Sequence, residues 1–329
     1  LGEWAADRAS VVIEAVADGD PRRVRARADR LGEDERVVVK ARLVSVVARG
    51  VTTRVDAPIL VIGGTEWSQV NWQEGFRARG RLAPALPGED IVAVVRAIGG
   101  PEVTGEAPAV ARWAAYLRGR FREATGSLPP DAAGLVPALV IGDTSATPDE
   151  LTDAMTVAGM SHLSAVSGSN VAIVLAAALG AARWCGLRRR LRPVVALLVL
   201  GGFVVLARPE PSVLRAAVMG VVGLAGLSAA RRRVGLPALA ASIIVLLCWD
   251  PWLARAYGFA LSVLATLGLL LLAQPWGKRL AVVLPRRLAK WGPALAVPVA
   301  AQVMCAPVVV LLQASISLVA VPANLVADP

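Results

Sequence analysis

Residues 159–180 read Gly159-Met160-Ser161-His162-Leu163-Ser164-Ala165-Val166-Ser167-Gly168-Ser169-Asn170-Val171-Ala172-Ile173-Val174-Leu175-Ala176-Ala177-Ala178-Leu179-Gly180, and here the chain changes character. Upstream, charges are dense. From His162 an apolar run reaches residue 184, and others follow at about 193–207, 212–230, 235–249, 253–273 and 293–313, with one more beginning near Ile316. A helix needs about 20 residues to cross a hydrocarbon core of about 30 Å, and several of these runs have that length. The run at 193–207 is short and must be tilted, re-entrant or sheltered by protein. The sequence therefore predicts about six membrane segments, forming an α-helical polytopic membrane domain over 161–329.

The bulk composition agrees. Hydrophobic residues make up 56% of the 329 residues and charged residues 18%, and the mean hydropathy is +0.59. This is too apolar for an ordinary soluble domain and too interrupted for a single anchor. The net charge of +10 is unevenly placed. Residues 1–110 hold about 15 Lys and Arg against about 16 Asp and Glu, whereas 111–329 hold about 20 against about 9. In a membrane protein the positive-inside bias generates such an excess without nucleic acid.

The connections between apolar runs alternate in charge. Arg183, Arg188, Arg189, Arg190 and Arg192 fill one, Arg231–Arg233 another, and Lys278, Arg279, Arg286, Arg287 and Lys290 a third. Those around Arg208–Pro211 and Asp250–Arg255 are poor in positive charge. With the rich connections cytoplasmic, the helix beginning at His162 runs from outside to inside, which places everything before it on the outer face. The chain opens with no basic leader and apolar run and stops directly after a motif-rich apolar stretch, so it is expected to be a piece of a longer protein.

Residues 1–108 show period-two patterning. In Arg36–Val47, Val37, Val39, Ala41, Leu43 and Val47 fall on one face, with Arg36, Lys40 and Arg42 opposite. Similar runs lie at Val11–Val16, Val55–Ile62, Phe76–Leu82 and Ile91–Ile98, divided by Asp18-Gly19-Asp20-Pro21, Gly63-Gly64 and Pro87-Gly88-Glu89-Asp90. About five short strands suit a small all-β Greek-key barrel of the OB type, and a small sandwich fits nearly as well. Residues 109–160 form a connector. Ala109–Ala124 carries Arg112, Arg118, Arg120 and Arg122 among apolar residues at helical spacing, which suits a helix lying on a membrane surface. Pro148-Asp149-Glu150 starts a second helix.

Two sets of side chains are candidates for chemistry. In the β-domain, Arg77, Arg79 and Arg81 share a strand face and could track a nucleic-acid backbone while Trp67 and Trp72 stack bases; the plain alternative is a solvated face beside core tryptophans. In the apolar half, His162, Ser164, Ser167 and Asn170 recur within two turns, followed by Arg215, Ser262, Gln302 and Asn324. Polar groups at membrane depth are costly, so their repetition suggests a wet pathway. The alternatives are tight helix crossings by small residues and, for Arg215, snorkelling. Cys185, Cys248 and Cys305 show no metal-ligand spacing, and with one histidine no His-rich metal site is expected. Asp143 and Asp250 read as turn residues.

Gly142-Asp143, residues 159–168, Pro211-Ser212-Val213-Leu214-Arg215-Ala216, Asp250-Pro251, Gly258-Phe259-Ala260-Leu261-Ser262, Ala301-Gln302 and Pro322-Ala323-Asn324-Leu325, taken in order, resemble the ComEC family of competence proteins over about residues 130–329. The β-rich segment is similar, by position and strand pattern, to the extracytoplasmic OB-like domain of that family. The resemblance implies an inner-membrane channel that carries single-stranded DNA into the cytoplasm. His162, Ser164, Ser167, Asn170, Arg215, Ser262, Gln302 and Asn324 would line the path, and Gly142, Asp143, Gly168 and Asp250 are the other motif positions. Partners would be single-stranded DNA, membrane lipids, a DNA receptor and a cytoplasmic translocase; no cofactor or metal is implied, and the mechanism is transport, not catalysis. Many members carry a second histidine where this chain has Asn170, which argues against a two-imidazole mechanism. Two rivals stay open: a transporter of a small polar solute with a broken helix, and a membrane-embedded hydrolase using Asp143 and His162.

Overall fold

The computed structural model describes residues 2–25, 35–85, 90–158, 166, 168–228, 235–283, 285 and 292–312. It divides into two compact units, Leu1–Ala124 and Thr125–Pro329.

The first unit is a mixed β-sheet with two helices. A short helix, α1 (Gly2–Ala6), precedes β1 (Ser10–Ala17), β2 (Arg22–Arg25), β3 (Glu35–Ala48), β4 (Val51–Gly63), β5 (Gly75–Pro84), β6 (Ala93–Ala97) and β7 (Glu102–Gly105). Alternation decides the main strands: along β1 and β5 every second residue is buried, because successive side chains point to opposite faces. The order β1-β3-β4-β6-β5 returns to β1 through an antiparallel β1–β5 pairing, so five strands close into a ring. All of its joins are antiparallel except β4–β6, which is parallel. Ile13, Val37, Val39, Leu43, Val46, Ile59, Val61, Phe76, Leu82 and Val95 fill its interior. Register shifts at Glu14/Ala15 and Leu43/Ser45 bend the strands as closure requires.

The sequence predicts about five strands here, and the described residues hold two more. β2 flanks β3, and β7 flanks the Gly75 end of β5. Neither alternates: β2 reads Arg-Arg-Val-Arg and β7 is exposed throughout. A helix, α2 (Ala109–Thr125), then packs by Ala111, Ala114 and Arg118. Arg118 is 3% exposed and meets Asp20 at 2.9 Å, so one arginine of this helix lies inward rather than on the polar surface its spacing suggested.

The second unit is helical: α3 (Pro130–Ile141), α4 (Asp149–Val157), α5 (Gly168–Trp184), α6 (Arg192–Ala207), α7 (Pro211–Ser228), α8 (Gly235–Trp249), α9 (Tyr257–Gly268), α10 (Gln274–Val283) and α11 (Gly292–Leu312). Small residues fill the crossings. Ala216 of α7 packs with Val171 of α5 and Leu200 of α6, and Ala178 and Ala196 pack with Leu224. Large apolar side chains such as Ile173, Leu198, Ile244 and Val282 point outward instead. By length and composition one helix, Tyr257–Val283, can cross a membrane; six shorter apolar helices of 10–17 residues accompany it among the described residues. That long helix extends past the apolar run at 253–273 and continues through Pro275, joining α9 to α10 by a π-helical turn at Leu269–Ala273. A wider turn places the carbonyls before Pro275 differently from an α-turn, so the ring does not break the helix.

Candidate functional site

Pro211 opens α7, and Ser212 in its first turn donates a hydrogen bond to the Val166 carbonyl at 3.1 Å. One turn further, Arg215 is 6% exposed. Before α9, Asp250 accepts from Trp252 N at 3.1 Å and caps the 3₁₀ turn Pro251–Arg255, which sets the start of that helix. Ser262 and Thr266 are four residues apart on α9 and so share a face. Arg215 Nε donates to Ser262 Oγ at 2.9 Å, and Nη2 donates to the same hydroxyl. Nη1 donates to Thr266 Oγ1 at 2.6 Å and approaches Met219 Sδ at 3.5 Å. Thr266 Oγ1 in turn donates its own hydrogen bond to the Ser262 carbonyl at 2.9 Å.

A guanidinium stays protonated at neutral pH. Here hydroxyls and a thioether accept from each of its three nitrogens, in four bonds for five N–H groups, and among the described residues no carboxylate bonds to it. The site therefore holds a positive charge, hydrogen-bonded yet not neutralised, between apolar helices. The side chain does not snorkel to the surface; it runs along α9. Thr266 and Met219 were not among the expected residues, although the Ser262-Thr266 spacing in an otherwise apolar helix was the available signal.

Those of the other expected path residues that are described sit on other helices. Asn170, in the first turn of α5, donates its amide to the Leu139 carbonyl of α3 at 2.7 Å. Gln302 lies half-buried in α11, between Pro298 and Pro307. Gly168 begins α5 near Ala216. His162, Ser164, Ser167 and Asn324 lie outside the described residues. Asp143 is buried, and its Oδ1 accepts from Ser145 N at 3.2 Å and Ser145 Oγ at 2.6 Å, the geometry of a turn residue.

In the first unit, Arg77, Arg79 and Arg81 are exposed on one face of β5. Arg77 meets Glu14 at 2.8 Å, and Glu14 also accepts from Ser45 Oγ at 2.9 Å. The Ser45 hydroxyl first, and then Arg77, hold the Glu14 carboxyl below its ordinary range. The expectation that Trp67 and Trp72 stack bases is corrected. Trp67 is 0% exposed, packs edge-on against Phe76 at 5.3 Å and donates Nε1–H to the Gly99 carbonyl at 3.0 Å. Trp72 is also buried. Neither ring offers a free face, because both are spent on the core.

Residues 139–329, from the end of α3 onward, match the family model described as competence protein. Over 144 residues the chain is 38% identical to ComE operon protein 3 of Bacillus subtilis (strain 168); the alignment takes in 44% of this chain and spans 19% of that protein's length. No solved structure matches the chain. With its helical half covered by the family model and the same half carrying the ordered motifs read from the sequence, this chain belongs to the ComEC family of competence proteins.

Proposed function

We propose that this chain forms part of an inner-membrane protein that takes up DNA during competence, passing a single strand into the cytoplasm. The observation that carries the reading is Arg215, a charge held by Ser262, Thr266 and Met219 with no carboxylate against it among the described residues. A neutralised arginine would be structural. One satisfied by weak neutral acceptors can exchange them for a phosphate oxygen, a stronger partner.

The outward placement of large apolar side chains in the second unit supports a polytopic membrane domain, since lipid takes the place of water around them. The alternation of charged connections supports cytoplasmic arginine-rich loops and a first unit on the outer side. The five-stranded ring closed by one parallel pair supports the OB type. In this arrangement Asn170, Gln302 and the residues His162, Ser164, Ser167 and Asn324 border the same path, and the protein acts by transport without covalent chemistry. Membrane lipids, a DNA receptor outside and a translocase inside are its partners.

Arg215→Met keeps side-chain length and removes the charge. In cells carrying the full-length protein at equal abundance, uptake of labelled single-stranded DNA is expected to fall at least tenfold. Uptake at the wild-type rate would return Arg215 to helix packing and remove the reading.

A further inference from the structure

The outer wall of the β-ring carries its positive charge unevenly. On β3, Lys40 meets Asp90 at 3.7 Å and Arg42 meets Asp56 at 3.4 Å. At the β3–β4 turn Arg49 meets Asp7 at 2.8 Å, and on β5 Arg77 meets Glu14. Arg79 and Arg81, the next outward residues of β5, and Arg96 of β6 are also exposed, and among the described residues no carboxylate bonds to them.

Arg81 and Arg96 are register partners across the antiparallel β5–β6 pair. Their Cβ atoms are therefore about 4.5–5.5 Å apart, an arrangement that destabilises a sheet when the charges are alike. Arg79 precedes Arg81 by two residues along β5, about 6.8 Å away. Gly80 lies between the two β5 arginines and faces inward, where a Cβ would sit 2.5 Å from the Arg96 carbonyl. A side chain at residue 80 would thus collide with the β6 backbone where the like charges cluster, in a unit whose charges otherwise nearly balance.

The cluster lies at one end of the ring. Arg81 pairs with Ser10 at the start of β1, whereas α2, by which the chain leaves the unit, is fixed through Arg118 to Asp20 just beyond the other end of β1. With Trp67 and Trp72 buried, base stacking is not available from the two tryptophans the sequence offered.

We propose that Arg79, Arg81 and Arg96 form a site that holds a nucleic-acid single strand by its phosphates alone. This rests on the proposed handling of DNA. It moves the contact from the face where OB-type barrels bind oligonucleotides, the second and third strands of the ring, to the β5–β6 face: on β3 Lys40 and Arg42 are already neutralised, and the remaining exposed arginines of β3 and β4, Arg36 and Arg54, have Val24 and Ser45 as register partners rather than a second arginine.

The test is equilibrium binding of fluorescent poly-dT by the full-length protein in detergent, across a salt series, alongside an abasic strand of equal length. The variant Arg79→Gln/Arg81→Gln/Arg96→Gln is expected to lose at least tenfold in affinity at low salt. Its salt slope becomes shallower by about 2, at about 0.7 for each phosphate contact to a single strand. Lys40→Gln/Arg42→Gln should bind within about threefold of wild type, and so should wild type with the abasic strand. The charge-keeping variant Arg79→Lys/Arg81→Lys/Arg96→Lys should restore most of the affinity, which separates lost charge from lost folding. Unchanged binding by the glutamine variant, equal loss in the β3 variant, or tenfold weaker binding of the abasic strand overturns the site. If binding is instead lost in Arg215→Met and intact in the glutamine variant, the conduit reading stands and this one falls.

Discussion

Two charged residues, Glu14 and Arg215, are held by hydroxyl groups, and their surroundings give those hydroxyls different work. Glu14 is half-exposed, and Ser45 and then Arg77 favour its ionised form. A carboxyl whose folded pKa is depressed adds stability that is present above its ordinary value of 4.5 and is lost as pH falls through the lower folded value. The thermal midpoint of wild type should therefore fall more steeply below pH 4.5 than that of Glu14→Gln, with the two curves converging in acid and the gap shrinking in high salt. Parallel curves would show that the pair does nothing for folding. For Arg215 the hydroxyls supply acceptors in what the proposed membrane domain makes a place where a charge costs on the order of 2.5–3.5 kcal/mol. Removing the arginine relieves that cost, which is why Arg215→Met is expected to reach normal abundance while losing uptake.

Among the elements, the end of α3 shows how backbone geometry sets the start of the apolar bundle. Gly142 has φ +69°, its N–H bonds to the Ala138 carbonyl and the Asp143 N–H to that of Pro137, closing the helix, and a Cβ there would lie 3.0 Å from Val166. Gly142→Ala should cost about 1–2 kcal/mol from the left-handed conformation alone. Gly180→Ala, mid-helix in α5 with open space around it, should instead stabilise by up to about 1 kcal/mol. Thermal unfolding in detergent reads both, and equal midpoints would discount the cap. The Gly142-Asp143 pair was legible as a motif and Asp143 as a turn residue, because both are local. The ring strands were legible for the same reason: burial on one side writes a period of two into each. β2 and β7 were not, since an edge strand with both faces wet carries no alternation. Trp67 was left between two readings because a tryptophan beside an arginine strand looks the same whether it turns outward or inward; the Gly99 carbonyl that fixes it in the core is 32 residues away. Thr266 meets Arg215 across 51 residues, which only the pairing of α7 with α9 reveals.

For the whole molecule, the proposed orientation places the ends of α5 and α8 on opposite sides of the membrane. Cys185 directly follows α5 beside the arginine-rich connection, Cys248 closes α8 beside Asp250, and both are exposed. A membrane-impermeant maleimide added to right-side-out vesicles should label Cys248 and spare Cys185 until the membrane is opened; the reverse pattern would invert the topology. The closed β-ring adds an element of timing. Its last member, β6, is seated between β4 and β5, so the ring cannot shut until residue 97 has been delivered. If the unit is threaded outward as an extended chain, it stays slack until that moment and then snaps to a width no threading path admits. Closure would serve as a latch, committing the helices that follow to one direction before the first of them is laid down.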